Sequence, residues 1–378
     1  MCQSIDNNAI TSIDSFIENK MKGTGLVGVG ASIIINNKVV WTKGFGYADK
    51  ENKVPFTTNT IMNIGSISKT FTGFCLMKAM EEKKVSLEED INTYLPFKVI
   101  NPFFPNEKIT LRNLATHTSG LADRYPFYTD STYYYGGDSP MPLGDFLKNY
   151  FVAGGKYYSQ ENFLKYKPGT YRDYSNIAAG LAGYIVELTT GKKLNVYSKQ
   201  YIFKPLQMNN TGWFFPEINL AIHSKLYDKQ GDTTKNIQLY GGTTYPDGGV
   251  RTSVSELSKF FISLLNNGQY KKTRILKKES VQEMLRFQYT ASDKPGNVKL
   301  DKLNSGIFWA TKLSSTRIGH NGSDPGVRTF MLSDLTKEIG VILFVNTSLS
   351  EKEENIYFDI YEELYRHAKK LKSETSRR

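Results

Sequence analysis

Cysteine is nearly absent from this chain: 378 residues contain two, Cys2 and Cys75. A disulfide framework is therefore excluded, and Cys75, inside an apolar helical stretch, reads as a small buried hydrophobe. Long hydrophobic runs are missing too. No segment approaches the roughly 20 apolar residues that span a bilayer, and the opening "MCQSIDNNAI" lacks the apolar centre of a signal peptide. Should Met1 stand where a leader was removed, Cys2 would be placed as a lipid-anchored residue with a polar tether after it. The four histidines (His117, His223, His320, His367) lack metal-ligand spacing with carboxylates or cysteines, so no metal or organic cofactor is expected. No glycine-flanked phosphate-binding loop, repeat or low-complexity linker occurs.

Negative charge is in deficit, giving a formal net charge of +11. Such an excess can serve nucleic acid or an anionic surface. Here part of it lies in "NNGQYKKTRILKKES" and the closing "RHAKKLKSETSRR", with no zinc-finger spacing beside it. Solvated surface is the simpler reading, and no nucleic-acid partner is expected.

What is abundant is pattern. Ile10, Ile13, Ile17 and Met21 recur at helical spacing in residues 9–21. "LVGVGASIIINNKVVWTKGFGYAD" reads as two strands about an Asn36-Asn37 turn. "RTFMLSD" and "IGVILFVNT" are again strand-like, and the unbroken 341–345 run suits a strand covered on both faces. A helix from about 353 to 371 closes the chain. Between the ends, helical patterns dominate at 66–83, 110–116, 177–190 and 254–266. The expected fold is α/β (α+β): an antiparallel sheet from both chain ends, flanked by terminal helices, with a helical region inserted. In residue numbers, 9–60 and 305–372 form the sheet region and 61–304 the helical region. Residues 1–8 and 373–378 are tails, and a groove between the two regions holds the site.

Three clusters carry chemistry. In "NIGSISKTFTGFC", Ser66 stands at the start of an apolar helix and Lys69 one turn later on the same side. The bland reading makes Ser66 a cap and Lys69 a solvated charge. The sharp one makes Ser66 a nucleophile whose proton Lys69 manages, as a neutral base or as a cation beside the alkoxide. In "KPGTYRDYSNIAAGLAG", Asn176 reads as an N-cap and Tyr174 as packing, or else as a hydrogen-bonding side chain and a phenol beside Lys69. In "RIGHNGSDPGVRTFML", Gly322 lets a substrate backbone approach His320 and Asn321, and main-chain N–H groups there can pair with that of Ser66 as an oxyanion hole.

Together and in this order, Ser66-Ile67-Ser68-Lys69, Tyr174-Ser175-Asn176 and His320-Asn321-Gly322 resemble the three signatures of the serine penicillin-recognising enzymes. The Tyr-x-Asn element is similar to the class C β-lactamase and DD-peptidase branch. "LATHTSGL" (114–121), "KPLQMNNTGW" (204–213), "GGVRTSVSELSKF" (248–260) and "GHNGSDPG" (319–326) resemble further blocks of that family, so the likeness spans roughly residues 10–370. The resemblance implies the β-lactamase/transpeptidase-like fold and a serine hydrolase. Ser66 would be acylated, with Lys69 and Tyr174 as proton-transfer partners. Asn176 would orient Lys69 or the substrate, the N–H groups of Ser66 and Ser323 would hold the oxyanion, and His117 would position a loop. A periplasmic or extracellular location is also implied, with a small molecule or peptide as substrate.

One departure from the branch is His320, where class C β-lactamases carry lysine. Histidine there resembles DD-peptidases, D-aminopeptidases and related esterases. As a cation titrating near 6.5, His320 would read a substrate carboxylate and lose it above neutral pH. The expected reaction is hydrolysis of an amide or ester through an acyl-enzyme, with D-amino-acid peptides as the substrate class. The alternatives are a true β-lactamase, an esterase or acyltransferase, and a catalytically silent binding protein. Finally, residues 123–144 hold five tyrosines and a phenylalanine with no helical or alternating pattern. They form either a self-packed loop or an aromatic wall beside the groove.

Overall fold

The computed structural model describes residues 7–230 and 233–376; Met1 and Cys2 lie outside them. The main sheet has seven strands: β1 (Gly28–Ile35), β2 (Lys38–Asp49), β3 (Val54–Pro55), β4 (Ala310–Lys312), β5 (Arg317–Asp324), β6 (Val327–Asp334) and β7 (Ile339–Val345), in the spatial order β4-β5-β6-β7-β1-β2-β3. Every pairing is antiparallel, and β1 against β7 joins the two chain ends, with Ala31 opposite Leu343. The β1–β2 hairpin turns through Asn36 and Asn37 at φ 48° and 63°. Both angles are positive, the requirement of a type I′ turn that asparagine tolerates.

Strand β7 is buried along its whole length because its two faces meet different cores. Val341, Leu343 and Val345 pack with Ile13 and Ile17 of helix α1 (Asn7–Met21) and with Tyr357, Ile360 and Leu364 of helix α5 (Glu351–Ser376). Ile342 and Phe344 face the larger core of the inserted region. That core is built on α2 (Ser68–Glu81), α3 (Asn176–Thr190) and α4 (Val254–Leu265), with Phe71 of α2 stacked on Phe260 of α4 at 3.9 Å between ring centres. Among the described residues no helix is long and apolar enough to cross a membrane.

Two local expectations change. Ser175, not Asn176, caps α3: its Oγ accepts from the Ala178 N–H at 3.1 Å, and Asn176 is the first helical residue. The tyrosine-rich stretch is also more regular than its pattern suggests. It contains a helix, Phe127–Thr132, and a short strand, Tyr133–Tyr135, paired with Tyr240–Gly242. Partners distant in sequence supply that order, and no periodicity within the stretch encodes it.

Candidate active site

Ser66 lies in a 3₁₀ turn, Gly65–Ile67, which runs directly into α2. Gly65 has φ +53°, and a side chain there would come within 3.0 Å of the Ser323 nitrogen and 3.2 Å of Gly322 Cα. A Cβ on Gly322 would sit 2.1 Å from the Ile64 carbonyl oxygen. Two glycines thus allow β5 to close on the turn that carries Ser66. Thr329 of β6 fastens the same contact, its hydroxyl donating to the Ile64 carbonyl at 2.9 Å. Strand β4 pairs with β5 only from Arg317 to Gly319, so β4 leaves the β5 edge from His320 to Asp324 open toward the cavity.

Lys69, one turn into the helix, is fully buried. Its Nζ donates to Ser66 Oγ at 3.0 Å, to Asn176 Oδ1 at 2.6 Å and to the Asp247 carbonyl at 2.9 Å. Three donated hydrogen bonds use all three protons of an ammonium and leave no lone pair. Burial alone would lower its pKa, but the interactions with Tyr174, Asp247 and Asp123 outweigh it and hold the pKa above the ordinary lysine value.

Asp123 fixes the Asn176 side chain. Its carboxylate accepts from Asn176 N at 2.8 Å, Asn176 Nδ2 at 2.9 Å, Ile177 N at 2.9 Å and Ser175 Oγ at 3.1 Å. With its amide N–H₂ tied to Asp123, Asn176 must turn its oxygen to Lys69. The same carboxylate sits at the positive end of α3, where negative charge is favoured. Asp247 lies deeper, accepting from Tyr128 Oη at 2.5 Å and Thr244 Oγ1 at 2.6 Å. Burial raises the pKa of both acids despite Lys69.

Tyr174 reaches the site from the segment before α3. The Lys69 ammonium is 5.0 Å from its ring centre, and its hydroxyl is buried without a protein hydrogen-bond partner. His117 packs against that ring, tilted by 37° with 4.4 Å between ring centres, and its Nδ1 accepts from the Ser175 N–H at 3.2 Å. Burial, then Arg172 and Lys69, push its pKa well below 6.5, so it is a neutral positioning group.

The surroundings of His320 disfavour the cation expected there. The ring is buried, and desolvation, then Lys312 and Lys69, drive its pKa well below 6.5. Its Nδ1 lies 2.7 Å from the Asn321 carbonyl oxygen, which only accepts, so Nδ1 carries the proton and Nε2 is bare. A neutral imidazole cannot attract a carboxylate by charge. Asn321 lines the cavity, whereas the Ser323 hydroxyl is turned to Arg328 and offers the site its main chain only.

The cavity in front of Ser66 measures about 1040 Å³. Tyr125, Tyr128, Tyr133, Tyr135, Tyr240 and Tyr245 line it, so the tyrosine-rich stretch forms a wall. Within that lining, Tyr133 Oη donates to Asp324 Oδ1 at 2.6 Å. Burial, reinforced by Asp247, pushes Asp324 up to about 7. Asp123, Asp247, Lys312 and Asp324 were not foreseen from sequence. Each arrives on a segment distant from Ser66, and none belongs to a local spacing. Among the described residues no cluster of three or more His, Cys, Asp or Glu is placed to hold a metal ion.

A model of the family described as Beta-lactamase matches residues 13–362. A β-lactamase of Pseudomonas fluorescens is 25% identical over 369 residues, spanning 90% of this chain and 94% of that protein. Protein flp of Staphylococcus aureus is 26% identical over 344 residues, spanning 90% of this chain but 64% of its own length. The octameric penicillin-binding protein homologue of Pyrococcus abyssi superposes with a TM-score of 0.71 at 25% identity, over 95% of this chain and 78% of that one.

Proposed function

The chain belongs to the β-lactamase family and is a serine hydrolase of the β-lactamase and penicillin-binding protein type; from that premise we propose that Ser66 forms an acyl-enzyme with an amide or ester, D-amino-acid peptides being the substrate class. The observation that carries the reading is the Lys69 ammonium, held between Ser66 Oγ and Asn176 Oδ1 by three donated hydrogen bonds.

In the proposed sequence, Lys69 has no lone pair to offer, so Tyr174 is the group that moves the proton. The reactive form pairs a Tyr174 phenolate with the Lys69 ammonium. Ser66 Oγ attacks the carbonyl carbon and its proton passes to Tyr174 Oη. The oxyanion forms against the main-chain N–H groups of Ser66 and Ser323. As the carbonyl re-forms, the bond to the leaving nitrogen or oxygen breaks and Tyr174 returns the proton to it. Water then attacks the acyl carbon and gives a proton to Tyr174; as the bond to Ser66 Oγ breaks, Tyr174 returns that proton to Ser66 and the acid leaves. Asn321 and the open β5 edge would align the substrate backbone, and His320, bare at Nε2, would accept a hydrogen bond from it.

Tyr174→Phe tests the proton route. It should lower kcat/KM by about 10²–10⁴. The variant should still fold, because the ring and its packing against His117 are kept. Activity within tenfold of wild type would return the base role to Lys69.

The substrate class is tested by intact mass after exposure to a penicillin, sampled early and late. A peptidase-like site should hold a persistent adduct on wild type and none on Ser66→Ala. An adduct that vanishes while the drug is consumed would make the chain a β-lactamase in activity. No adduct at any time would move the substrate to esters or D-amino amides.

A further inference from the structure

With His320 neutral, the charge expected of that position has to come from elsewhere if the substrate is anionic. Lys312, the last residue of β4, lies opposite Arg317 and lines the same cavity as Ser66, His320 and Asn321. Its side chain makes no hydrogen bond or ion pair with any described residue, and the charges that act on it, Arg172 and Lys69, are both positive. His320 on β5 and His117 after the helix Leu111–Ala115 also feel it, and both are neutral. Behind them, the buried Nε of Arg172 has no partner. The carboxylates that line the cavity have other partners, Asp324 being tied to Tyr133 and Asp247 to Tyr128.

We propose that Lys312 is the residue that reads a carboxylate on the substrate, in place of His320. The inference deepens the hydrolase reading above, since it concerns what that groove accepts. The half-buried Lys312 ammonium faces the cavity with only positive charges acting on it, an arrangement that favours an incoming anion. A ligand carboxylate would supply the missing partner, and the strand pairing brings Lys312 beside the open β5 edge where a substrate would lie. Desolvation, then Arg172 and Lys69, lower the Lys312 pKa to about 8, so the charge is present at neutral pH and fades in mild alkali.

The test separates recognition from turnover. Binding of 3-carboxyphenyl phenylacetate and of its neutral methyl ester is measured by calorimetry on Ser66→Ala protein, which retains Lys312. At pH 7 the carboxylate ligand should bind at least about tenfold more tightly than the neutral one. Adding Lys312→Gln should abolish that preference and Lys312→Arg should keep most of it. The preference should be level between about pH 5.5 and 7, where an ordinary histidine titrates. It should then fall as the pH rises through about 8 with lysine and stay level with arginine. Lys312→Met should melt no lower than wild type, because it removes an unpaired charge; this shows that the position tolerates neutral side chains. No preference in the Ser66→Ala protein, or a preference that survives Lys312→Gln, overturns the proposal. Failure of wild type to cleave either ester would instead overturn the hydrolase mechanism, leaving the binding result to decide the role of Lys312.

Discussion

Ser66→Ala should lower kcat/KM by about 10⁴–10⁶ and leave the fold intact. The size follows from the loss of a covalent route whose members act as a unit, so that removing the nucleophile alone forfeits most of the rate. The stability claim follows from the geometry. The hydroxyl of Ser66 accepts one hydrogen bond, from Lys69, and Lys69 keeps its two others, to Asn176 and Asp247. A hydrogen bond from a charged donor is worth about 1.5–3 kcal/mol. The variant should therefore melt within a few degrees of wild type while being inert toward any substrate the wild type turns over. A variant that keeps more than about 1% of the wild-type rate would mean that another group attacks the carbonyl.

Lys69→Ala should fail in both respects. Activity should fall by about 10²–10⁴, because the group that holds Ser66 and balances charge at Tyr174 is gone. Stability should fall as well, by about 3 kcal/mol, because Asp123 and Asp247 lose the buried cation that favours their charged forms. The sign of the pH dependence is fixed by the same groups. Burial already raises both carboxyl pKa values in the folded state, and loss of Lys69 raises them further. A group whose folded pKa exceeds its unfolded value stabilises at low pH and loses that contribution as pH rises. The penalty of Lys69→Ala should thus shrink on acidification. Adding Asp247→Asn should recover part of the stability at neutral pH and none of the activity, a non-additive result expected of residues in one network. Thermal melts of the three variants across pH check this directly; a penalty that grows in acid would contradict it.

Much of this site was legible because its central pair is local. Ser66 and Lys69 are three residues apart on one helical element, a spacing that geometry alone brings to one face. The Asn36-Asn37 turn and the continuous apolar run of β7 were legible for a similar reason, since each is set by neighbouring residues. The tertiary partners were not. Asp123 caps α3 and aims Asn176 from more than fifty positions upstream, and Asp247 meets Lys69 from a loop far beyond it. Neither leaves a periodic trace. The surroundings that disfavour charge on His320 were not legible either, because they come from burial and from Lys312, a residue of the next strand. The tyrosine-rich stretch hid a helix and a strand for the same reason, since its pairing partner is Tyr240–Gly242.

Acylation of Ser66 is the claim on which the rest depends. The most direct measurement mixes wild-type protein with an activated aryl ester, 3-carboxyphenyl phenylacetate, quenches in acid within one turnover, and maps the acyl group by peptide mass. The account predicts a phenylacetyl increment on the peptide bearing Ser66, confined to that residue on fragmentation and absent from Ser66→Ala. Ester cleavage with the increment on another residue, or undiminished cleavage by Ser66→Ala, would contradict it.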